Sequence, residues 1–122
     1  MNVVTLQYNI LIAEDNDSCF LLLKAILKGY NIDRAINGCE AVKLFLKKHY
    51  DIVLMDIIMP EMNGIEATKL IRSIDENVPI YAISAHAFES DKARAIAAGC
   101  TGHLSKPVNH KNLLLIVKDA CK

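Results

Sequence analysis

The chain has 122 residues, of which 14 are basic and 14 are acidic, so its formal net charge is zero. A chain of this length forms one domain and buries ~65% of its unfolded surface without disulfides. Balanced, scattered charge argues against nucleic acid as a partner, and no apolar run approaches the ~20 residues of a membrane span. The four cysteines are widely spaced and the N-terminus lacks a signal-peptide pattern, so we expect a cytoplasmic domain with reduced cysteines.

Apolar runs and helical stretches alternate five times along the chain. Short apolar runs are typical of strands buried in a parallel sheet, and the stretches between them have helical periodicity. The predicted strands cover residues 8–14, 31–36, 51–56, 79–84 and 102–105. The predicted helices cover residues 17–29, 39–49, 65–74, 90–98 and 109–122. This alternation predicts an α/β fold with a doubly wound, five-stranded parallel sheet.

Local signals mark several helix ends and helix faces. Asn16 or Asp17 is the predicted N-cap of the first helix, and Gly29 is its predicted end. The predicted core-facing stripe of the third helix comprises Ile65, Leu70, Ile71 and Ile74. The predicted core-facing residues of the first helix are Cys19, Leu22, Leu23 and Ile26. Phe20 and Leu21 are then left near the exposed face of that helix.

Polar residues stand where four of the predicted strands end. Glu14 and Asp15 follow the first strand, Asp56 ends the third, Ser84 ends the fourth and Lys106 follows the fifth. Because parallel strands present their carboxyl ends at one edge of a sheet, these side chains should converge there. Two carboxylates ~4 Å apart repel by roughly 4 kcal/mol at an effective dielectric constant near 20. The site should therefore be protonated or hold a hard cation, and Mg²⁺ suits such a donor set.

In this order, these residues resemble the receiver domain of two-component signalling. Asp15, Asp56, Ser84 and Lys106 are separated by 41, 28 and 22 positions, and the resemblance covers nearly the whole chain. It includes the neighbouring pairs Met59 and Pro60, Asn63 and Gly64, Ser84 and Ala85, and Lys106 and Pro107. The resemblance implies a flavodoxin-like (βα)5 fold over residues 8–122, with residues 1–7 as a lead or linker remnant.

The resemblance also implies a chemistry for the site. Asp56 would take a phosphoryl group from a phosphohistidine and form an aspartyl phosphate. Asp15, Asp56 and the backbone carbonyl of Ile58 would bind Mg²⁺ directly, and Glu14 would act mainly through a water molecule. In this restricted sense the domain would catalyse its own phosphorylation and dephosphorylation.

Lys106 and Ser84 are implied to contact the phosphoryl oxygens. A cis peptide bond between Lys106 and Pro107 would aim the lysine at the site, as in the family. Ser84 is also half of the implied conformational switch. Its partner is Tyr or Phe in most receivers but His103 here, which suggests a different switch; an ordinary surface histidine is the alternative.

Two positions that flank the phosphoryl group set its lifetime in the family. Here they are Ile58, which would shield the acyl phosphate from water, and His86, which could orient an attacking water. His49 and His110 look like ordinary exposed histidines. We expect a phosphoryl group of moderate persistence.

The implied partners are a histidine kinase or a histidine-phosphotransfer domain, with Phe20 of the first helix contributing to docking. The output surface would be the fourth helix, fifth strand and fifth helix, and a weak homodimer is compatible with the pattern. His103 and residues 82–87 resemble the receivers of hybrid histidine kinases, so the resemblance favours a receiver excised from such a kinase. The parent kinase could be membrane-anchored, but this domain itself should contact no membrane. A single-domain response regulator and a degenerate, protein-binding receiver are the alternatives.

Two rival interpretations explain fewer residues. A flavodoxin-like cofactor binder would need a loop rich in Ser, Thr or Gly after the first strand, where this chain is acidic. A phosphatase with an aspartyl nucleophile would want a second acid two residues after Asp56, where Ile58 stands.

Overall fold

The computed structural model describes residues 8–59, 61–85 and 89–121. The predicted lead, residues 1–7, and the predicted lifetime residue His86 lie outside this described part of the chain. No helix within it is both long enough and apolar enough to cross a lipid bilayer.

Five strands alternate with five helices, as the sequence predicts. The strands are β1 (Asn9–Ala13), β2 (Asn31–Ala35), β3 (Ile52–Asp56), β4 (Ile80–Ser84) and β5 (Gly102–Ser105). The helices are α1 (Asp17–Ile26), α2 (Gly38–Lys47), α3 (Gly64–Ile74), α4 (Glu89–Ala98) and α5 (His110–Ala120). The predicted and observed ends of these elements differ mostly by one or two residues. The largest difference is at α1, which ends three residues before its predicted end because the chain turns at Leu27 and Gly29 adopts φ +98°.

The strands form one wholly parallel sheet in the order β2-β1-β3-β4-β5. This confirms the predicted doubly wound, flavodoxin-like architecture. The strand order reverses direction between β1 and β3, where Ala13 pairs in register with Met55. Ligands of open α/β sheets bind outside the strand ends at such a reversal, so the fold itself places the ends of β1 and β3 side by side at the expected site.

Apolar side chains fill both faces of the sheet. One cluster packs α2, α3 and α4 on one face and includes Leu11, Val53, Met55, Ile71 and Ala95. The other packs α1 and α5 on the opposite face and includes Ile12, Leu23, Leu54, Leu113 and Val117. β1 and β3 are covered on both sides, which explains their nearly continuous apolar sequence.

The predicted core-facing stripe of α3 is wrong at two positions. Leu70 and Ile74 are 43% and 51% exposed, whereas Ala67 and Thr68 are fully buried. Thr68 lies three residues after Ile65 on the same face, and its Oγ1 is 3.7 Å from the sulfur of Cys100. A short polar side chain therefore occupies a core position because a neighbouring sulfur satisfies its hydroxyl.

The predicted faces of α1 also need correction. Leu22, expected in the core, is 51% exposed, and Leu21 is 61% exposed. Phe20, expected on the exposed face, is half-buried and packs against the cluster formed with α5. Compared with the prediction, α1 is rotated so that Leu23 is its buried residue, whereas the adjacent Leu21 and Leu22 face outward.

Asparagine caps the N-termini of four helices. In each case the side-chain oxygen accepts a hydrogen bond from a backbone N–H three residues on, at 2.8–3.0 Å. The four caps are Asn16, Asn37, Asn63 and Asn109. Each cap contributes about 1 kcal/mol. The cap at Asn16 is one of the two that the sequence predicts, and it fixes the start of α1 directly after the acidic pair.

Candidate functional site

Three carboxylates meet where β1 and β3 end. Glu14 and Asp15 follow β1 directly, and Asp56 is the last residue of β3. One oxygen from each carboxylate lies within 4.8 Å of the others. Glu14 and Asp56 are buried, at 1% and 5% exposure, whereas Asp15 is exposed. The sequence therefore predicts this cluster correctly.

Lys106 reaches the cluster from the end of β5. Its Nζ lies 2.9 Å from Glu14 Oε1 and donates to Asp56 Oδ2 at 3.1 Å. Its backbone N–H donates to the carbonyl oxygen of Ser84 at 2.8 Å, and the Lys106–Pro107 peptide bond is cis, as predicted. One ammonium thus faces two buried carboxylates.

Burial and charge shift the pKa values of this cluster. Burial raises the pKa of Glu14 above its ordinary value of 4.5, and the nearby Asp56 carboxylate raises it further. The Lys106 ammonium opposes that shift without cancelling it. Burial alone would lower the pKa of Lys106, but its hydrogen bonds with Glu14 and Asp56 raise that pKa well above 10.5. The lysine therefore stays charged, whereas burial and the Asp56 carboxylate oppose the ionisation of Glu14.

The loop after β3 fits closely against Asp56. The Ile58 N–H donates to Asp56 Oδ1 at 3.0 Å, and the Gly64 N–H donates to the Ile57 carbonyl oxygen at 3.0 Å. A side chain at Gly64 would collide with the Asp56 carbonyl oxygen, so only glycine allows the start of α3 to approach β3 this closely. Both oxygens of the Asp56 carboxylate are consequently fixed, one by a backbone N–H and one by a lysine.

A cleft of about 400 Å³ opens over these groups. It is lined by Glu14, Asp15, Asn16, Asp56, Ile58, Ala85 and Lys106. Ile58 is 64% exposed and stands at the cleft with its apolar side chain towards solvent. The cleft gives a small charged group direct access to Asp56.

Ser84 and His103 lie beside the cluster on β4 and β5. Ser84 is 2% exposed, His103 is half-buried, and Ser84 Oγ lies 2.9 Å from His103 Nε2. The predicted switch residues are therefore direct hydrogen-bonding partners.

Arg34 is a contact residue that the sequence does not reveal. From β2, its Nε donates to the Glu14 carbonyl oxygen at 3.0 Å, and a terminal nitrogen lies 2.8 Å from Asp17 Oδ1. Its guanidinium carbon lies 4.6 Å above the centre of the Phe20 ring. Arg34 thus joins the acidic loop to α1, and no pattern in the sequence distinguishes it from an exposed arginine on an edge strand.

The predicted site residues fall into three groups. The structure brings five together around the cleft: Glu14, Asp15, Asp56, Ile58 and Lys106. Ser84 and His103 contact each other on β4 and β5, and the Ser84 carbonyl oxygen accepts from the Lys106 backbone N–H. Phe20 lies on α1, where the Arg34 guanidinium that binds the Glu14 carbonyl oxygen also covers its ring.

The donor set suits a divalent metal ion. Three carboxylates carry a summed charge of −3, and Lys106 reduces it to −2, which one divalent cation would neutralise. Glu14 Oε1 is buried and accepts no well-directed hydrogen bond from any described residue, although the Lys106 ammonium lies 2.9 Å away. Oxygen donors of this number and charge match the preferences of Mg²⁺.

Comparison with known proteins establishes the class of the chain. Residues 10–118 match the model of the response regulator receiver domain. The chain therefore belongs to the receiver-domain family of two-component signalling, and the competing cofactor-binding and phosphatase interpretations are wrong.

Its relatives include both long and short proteins. It is 39% identical to hybrid signal transduction histidine kinase G of Dictyostelium discoideum, over 93% of this chain but only 4% of that kinase. It is 33% identical to the polar-differentiation response regulator DivK of Brucella anthropi, over 90% of this chain and 93% of that protein. Homologues thus occur both as part of a hybrid kinase and as a short regulator.

Two solved structures are informative about the site. One is the receiver domain of sensor histidine kinase PA1611 from Pseudomonas aeruginosa, which has a magnesium ion coordinated in its active site cleft. It is 31% identical to this chain with a TM-score of 0.87, and the match covers 94% of this chain and 98% of that one. The other is a complex from Saccharomyces cerevisiae between the histidine phosphotransfer protein Ypd1 and the receiver domain of the response regulator Ssk1. The matched chain is 31% identical to this one with a TM-score of 0.86, and the match covers 93% of this chain and 88% of the other.

Proposed function

We propose that this receiver domain accepts a phosphoryl group on Asp56 from a phosphohistidine and relays it within a two-component pathway. The observation that carries the proposal is the environment of Asp56. Its carboxylate is 5% exposed, faces an open cleft, and has one oxygen bound by Lys106 and the other by the Ile58 N–H. A carboxylate held in this way is oriented to act as a nucleophile.

The proposed reaction is a direct transfer. An oxygen of Asp56 forms a bond to phosphorus while the bond between phosphorus and the imidazole nitrogen of the donor breaks. The donor imidazole leaves with the electron pair of that bond and takes up a proton. Lys106 lines the cleft and donates to Asp56 Oδ2, so it would neutralise part of the charge that the phosphoryl oxygens bring. Positioning and charge neutralisation are most of what phosphoryl transfer requires from a protein.

The same proposal assigns the acidic cluster to Mg²⁺. Asp15, Asp56 and the Ile58 carbonyl would hold the ion, with Glu14 acting through water. When bound, Mg²⁺ offsets the negative charge of the incoming phosphoryl group. The magnesium in the cleft of the PA1611 receiver, a structural neighbour, supports this assignment.

Ile58 and His86 remain our candidates for setting the lifetime of the aspartyl phosphate. The exposed apolar side chain of Ile58 stands beside the cleft, where it would limit the approach of water to the phosphoryl group.

We further propose a cytoplasmic domain that is part of a hybrid histidine kinase. The similarity to kinase G supports this context, and the similarity to DivK keeps the single-domain regulator as the alternative. The phosphodonor would be a kinase or a histidine-phosphotransfer protein, which agrees with the Ypd1 complex of the Ssk1 receiver.

The outward face of α1 is the proposed docking surface. Leu21 and Leu22 are exposed on α1, and Leu22 also lines an apolar cleft of about 300 Å³ between α1 and the segment after β5. Lys106 and Pro107 line the same cleft, so a partner seated there would approach Asp56. Phe20 supports this surface from its half-buried position under Arg34.

Docking variants should slow transfer from a protein donor but not from a small one. Leu22→Ser should lower kcat/KM for transfer from a phosphorylated histidine-phosphotransfer protein by about 10-fold, because it removes an exposed apolar contact near the centre of the interface. Phe20→Ala should have a comparable effect. Radiolabel transfer from the protein donor, compared with the rate of labelling by acetyl phosphate, measures both.

Leu46→Ser is the matched control for this experiment. Leu46 is 63% exposed on α2, on the other face of the sheet, so its replacement should change neither rate. If Leu22→Ser slows phosphorylation equally with acetyl phosphate and with the protein donor, the substitution acts on the phosphorylation site itself. That result would refute the docking surface. Asp56→Asn should receive no label from either donor.

A further inference from the structure

The turn between β1 and α1 is held by an arginine from the neighbouring strand. The Glu14 N–H donates to the Ala35 carbonyl oxygen at 2.9 Å, which extends the pairing of β1 with β2 by one residue. Arg34 Nε donates to the Glu14 carbonyl oxygen at 3.0 Å. Both backbone polar groups of Glu14 are therefore bound to β2, and Asp15 follows directly from this fixed point.

The guanidinium of Arg34 is itself held in place. A terminal nitrogen lies 2.8 Å from Asp17 Oδ1, and the guanidinium carbon lies 4.6 Å above the centre of the Phe20 ring. A planar guanidinium can bind acceptors at its edge while its face stacks on an aromatic ring. Arg34 thus spans the turn of residues 14–17, from the end of β1 to the first residue of α1.

We propose that Arg34 is a positioning residue for divalent cation binding, because it fixes the turn that presents the Asp15 carboxylate to the ion. The inference rests on the proposed function, in which the acidic cluster holds Mg²⁺. The other two carboxylates of the cluster are buried beside Lys106, whereas Asp15 is exposed, so the place of Asp15 depends on the backbone that carries it. Groups that orient metal ligands in this way typically change metal affinity by ~10–100-fold.

Charge alone predicts the opposite effect. Arg34 is a cation near a site that would bind a cation, so Coulomb repulsion by itself would make Mg²⁺ bind more tightly once Arg34 is removed. Arg34→Met removes the charge and both polar contacts but keeps an unbranched side chain. We expect Mg²⁺ to bind this variant about 10-fold more weakly than wild type, because the turn loses its anchor. Arg34→Lys keeps the charge without the planar group, so its Kd should lie between those of wild type and Arg34→Met.

Isothermal titration calorimetry with MgCl₂ at constant ionic strength measures these Kd values. Lys48→Met is the matched control. The described contacts of Lys48 are with Asp33 of β2, at 2.8 Å, and with the Tyr50 ring. Its replacement therefore removes a positive charge beside the same strand without loosening the turn, and it should leave the Kd for Mg²⁺ as in wild type.

Two further measurements separate positioning from a general loss of stability. The Asn16 N–H donates to Glu14 Oε2 at 3.2 Å across the turn, so in metal-free Arg34→Met this amide should gain more in hydrogen-exchange rate than the amides of β3 do. With acetyl phosphate, the Mg²⁺ concentration for half the maximal rate should rise about 10-fold, whereas the rate at saturating Mg²⁺ should stay near that of wild type.

The outcomes distinguish this inference from the function on which it rests. If wild type binds Mg²⁺ and Arg34→Met binds it equally or more tightly, the role of Arg34 is refuted and the proposed function stands. Should Arg34→Met not fold, Arg34→Lys decides in the same way, since a Kd at or below that of wild type would refute the role. If wild type itself binds no Mg²⁺ and takes up no phosphoryl group, the proposed function fails, and this inference fails with it.

Discussion

Saturating Mg²⁺ should raise the melting temperature of the protein by roughly 10 °C, and Asp15→Asn should remove most of that rise. A ligand at about 100 times its Kd stabilises the folded state by ~2.7 kcal/mol, and about 1 kcal/mol shifts the melting temperature of a domain of this size by ~4 °C. The ion should bind because three carboxylates lie within 4.8 Å of one another and the ammonium of Lys106 neutralises only one of their negative charges. Differential scanning calorimetry with Mg²⁺ and with EDTA measures the effect.

Asp15→Asn should also show how much the repulsion within the acidic cluster lowers the stability of the metal-free protein. In EDTA, Asp15→Asn should be more stable than wild type by about 1 kcal/mol, because one like charge is removed from the cluster. Glu76→Gln, which removes an exposed carboxylate between α3 and β4, is the matched control and should leave the response to Mg²⁺ intact. An equal rise in melting temperature for wild type and Asp15→Asn would show that Mg²⁺ binds elsewhere.

Replacing Lys106 by methionine should destabilise the protein by about 2 kcal/mol at pH 7.5 without metal. Lys106 is the ammonium that faces Glu14 and Asp56, which are buried, and removal of one partner from a buried ion pair leaves uncompensated charge. Protonation of Glu14 limits the loss, which is why we expect less than the ~3–5 kcal/mol of a fully broken buried pair. Urea unfolding of wild type and Lys106→Met measures the difference.

The loss should depend on pH in a defined direction. The pKa of Glu14 is raised above 4.5 in the folded state, so its ionisation costs stability as the pH rises through the folded pKa, and this cost is absent below 4.5. Without Lys106 that pKa rises further. The deficit of Lys106→Met should therefore be larger at about pH 8 than at about pH 5.5.

Two control variants make this test specific. Glu14→Gln combined with Lys106→Met should abolish most of the pH dependence, since Gln does not ionise. Lys69→Met, which removes an exposed lysine from α3, should cost little at either pH. A deficit that is the same at both pH values would contradict the electrostatic explanation.

The sequence predicts the sheet and the acidic cluster because both follow from local patterns. A short apolar run such as the one that begins at Ile52 and ends before Asp56 is typical of a buried strand in an alternating α/β chain, and parallel strands place their last residues at one edge. Asp56 therefore has to lie near Glu14 once β1 and β3 are neighbours. The positions of Lys106 and Ser84 follow by the same reasoning.

Helix rotation and strand register are where the sequence is insufficient. Periodicity alone favours Leu70 and Ile74 over Thr68 as core residues of α3, because it cannot detect that the Cys100 sulfur satisfies a buried hydroxyl. The rotation of α1, which exposes Leu22, depends likewise on packing against α5. These errors leave the site intact because they concern helix faces rather than strand ends.

Two contacts of the site depend on tertiary structure alone. The bond between Ser84 and His103 requires the register in which His103 pairs with Ala82, and no local pattern specifies it. Arg34 reaches the Glu14 carbonyl because β2 lies next to β1 at the edge of the sheet. The resemblance implies that Ser84 and His103 act together, but their hydrogen bond and the contact made by Arg34 become visible only in the folded structure.

The central claim is that Asp56 accepts a phosphoryl group, and intact-mass spectrometry tests it most directly. Wild type and Asp56→Asn are incubated with acetyl phosphate, with Mg²⁺ and with EDTA. We predict a gain of one phosphoryl group in wild type with Mg²⁺, little or none in EDTA, and none in Asp56→Asn. No gain in wild type under any condition, or an equal gain in Asp56→Asn, would contradict the claim; the first result would leave a receiver that acts only as a protein-binding module.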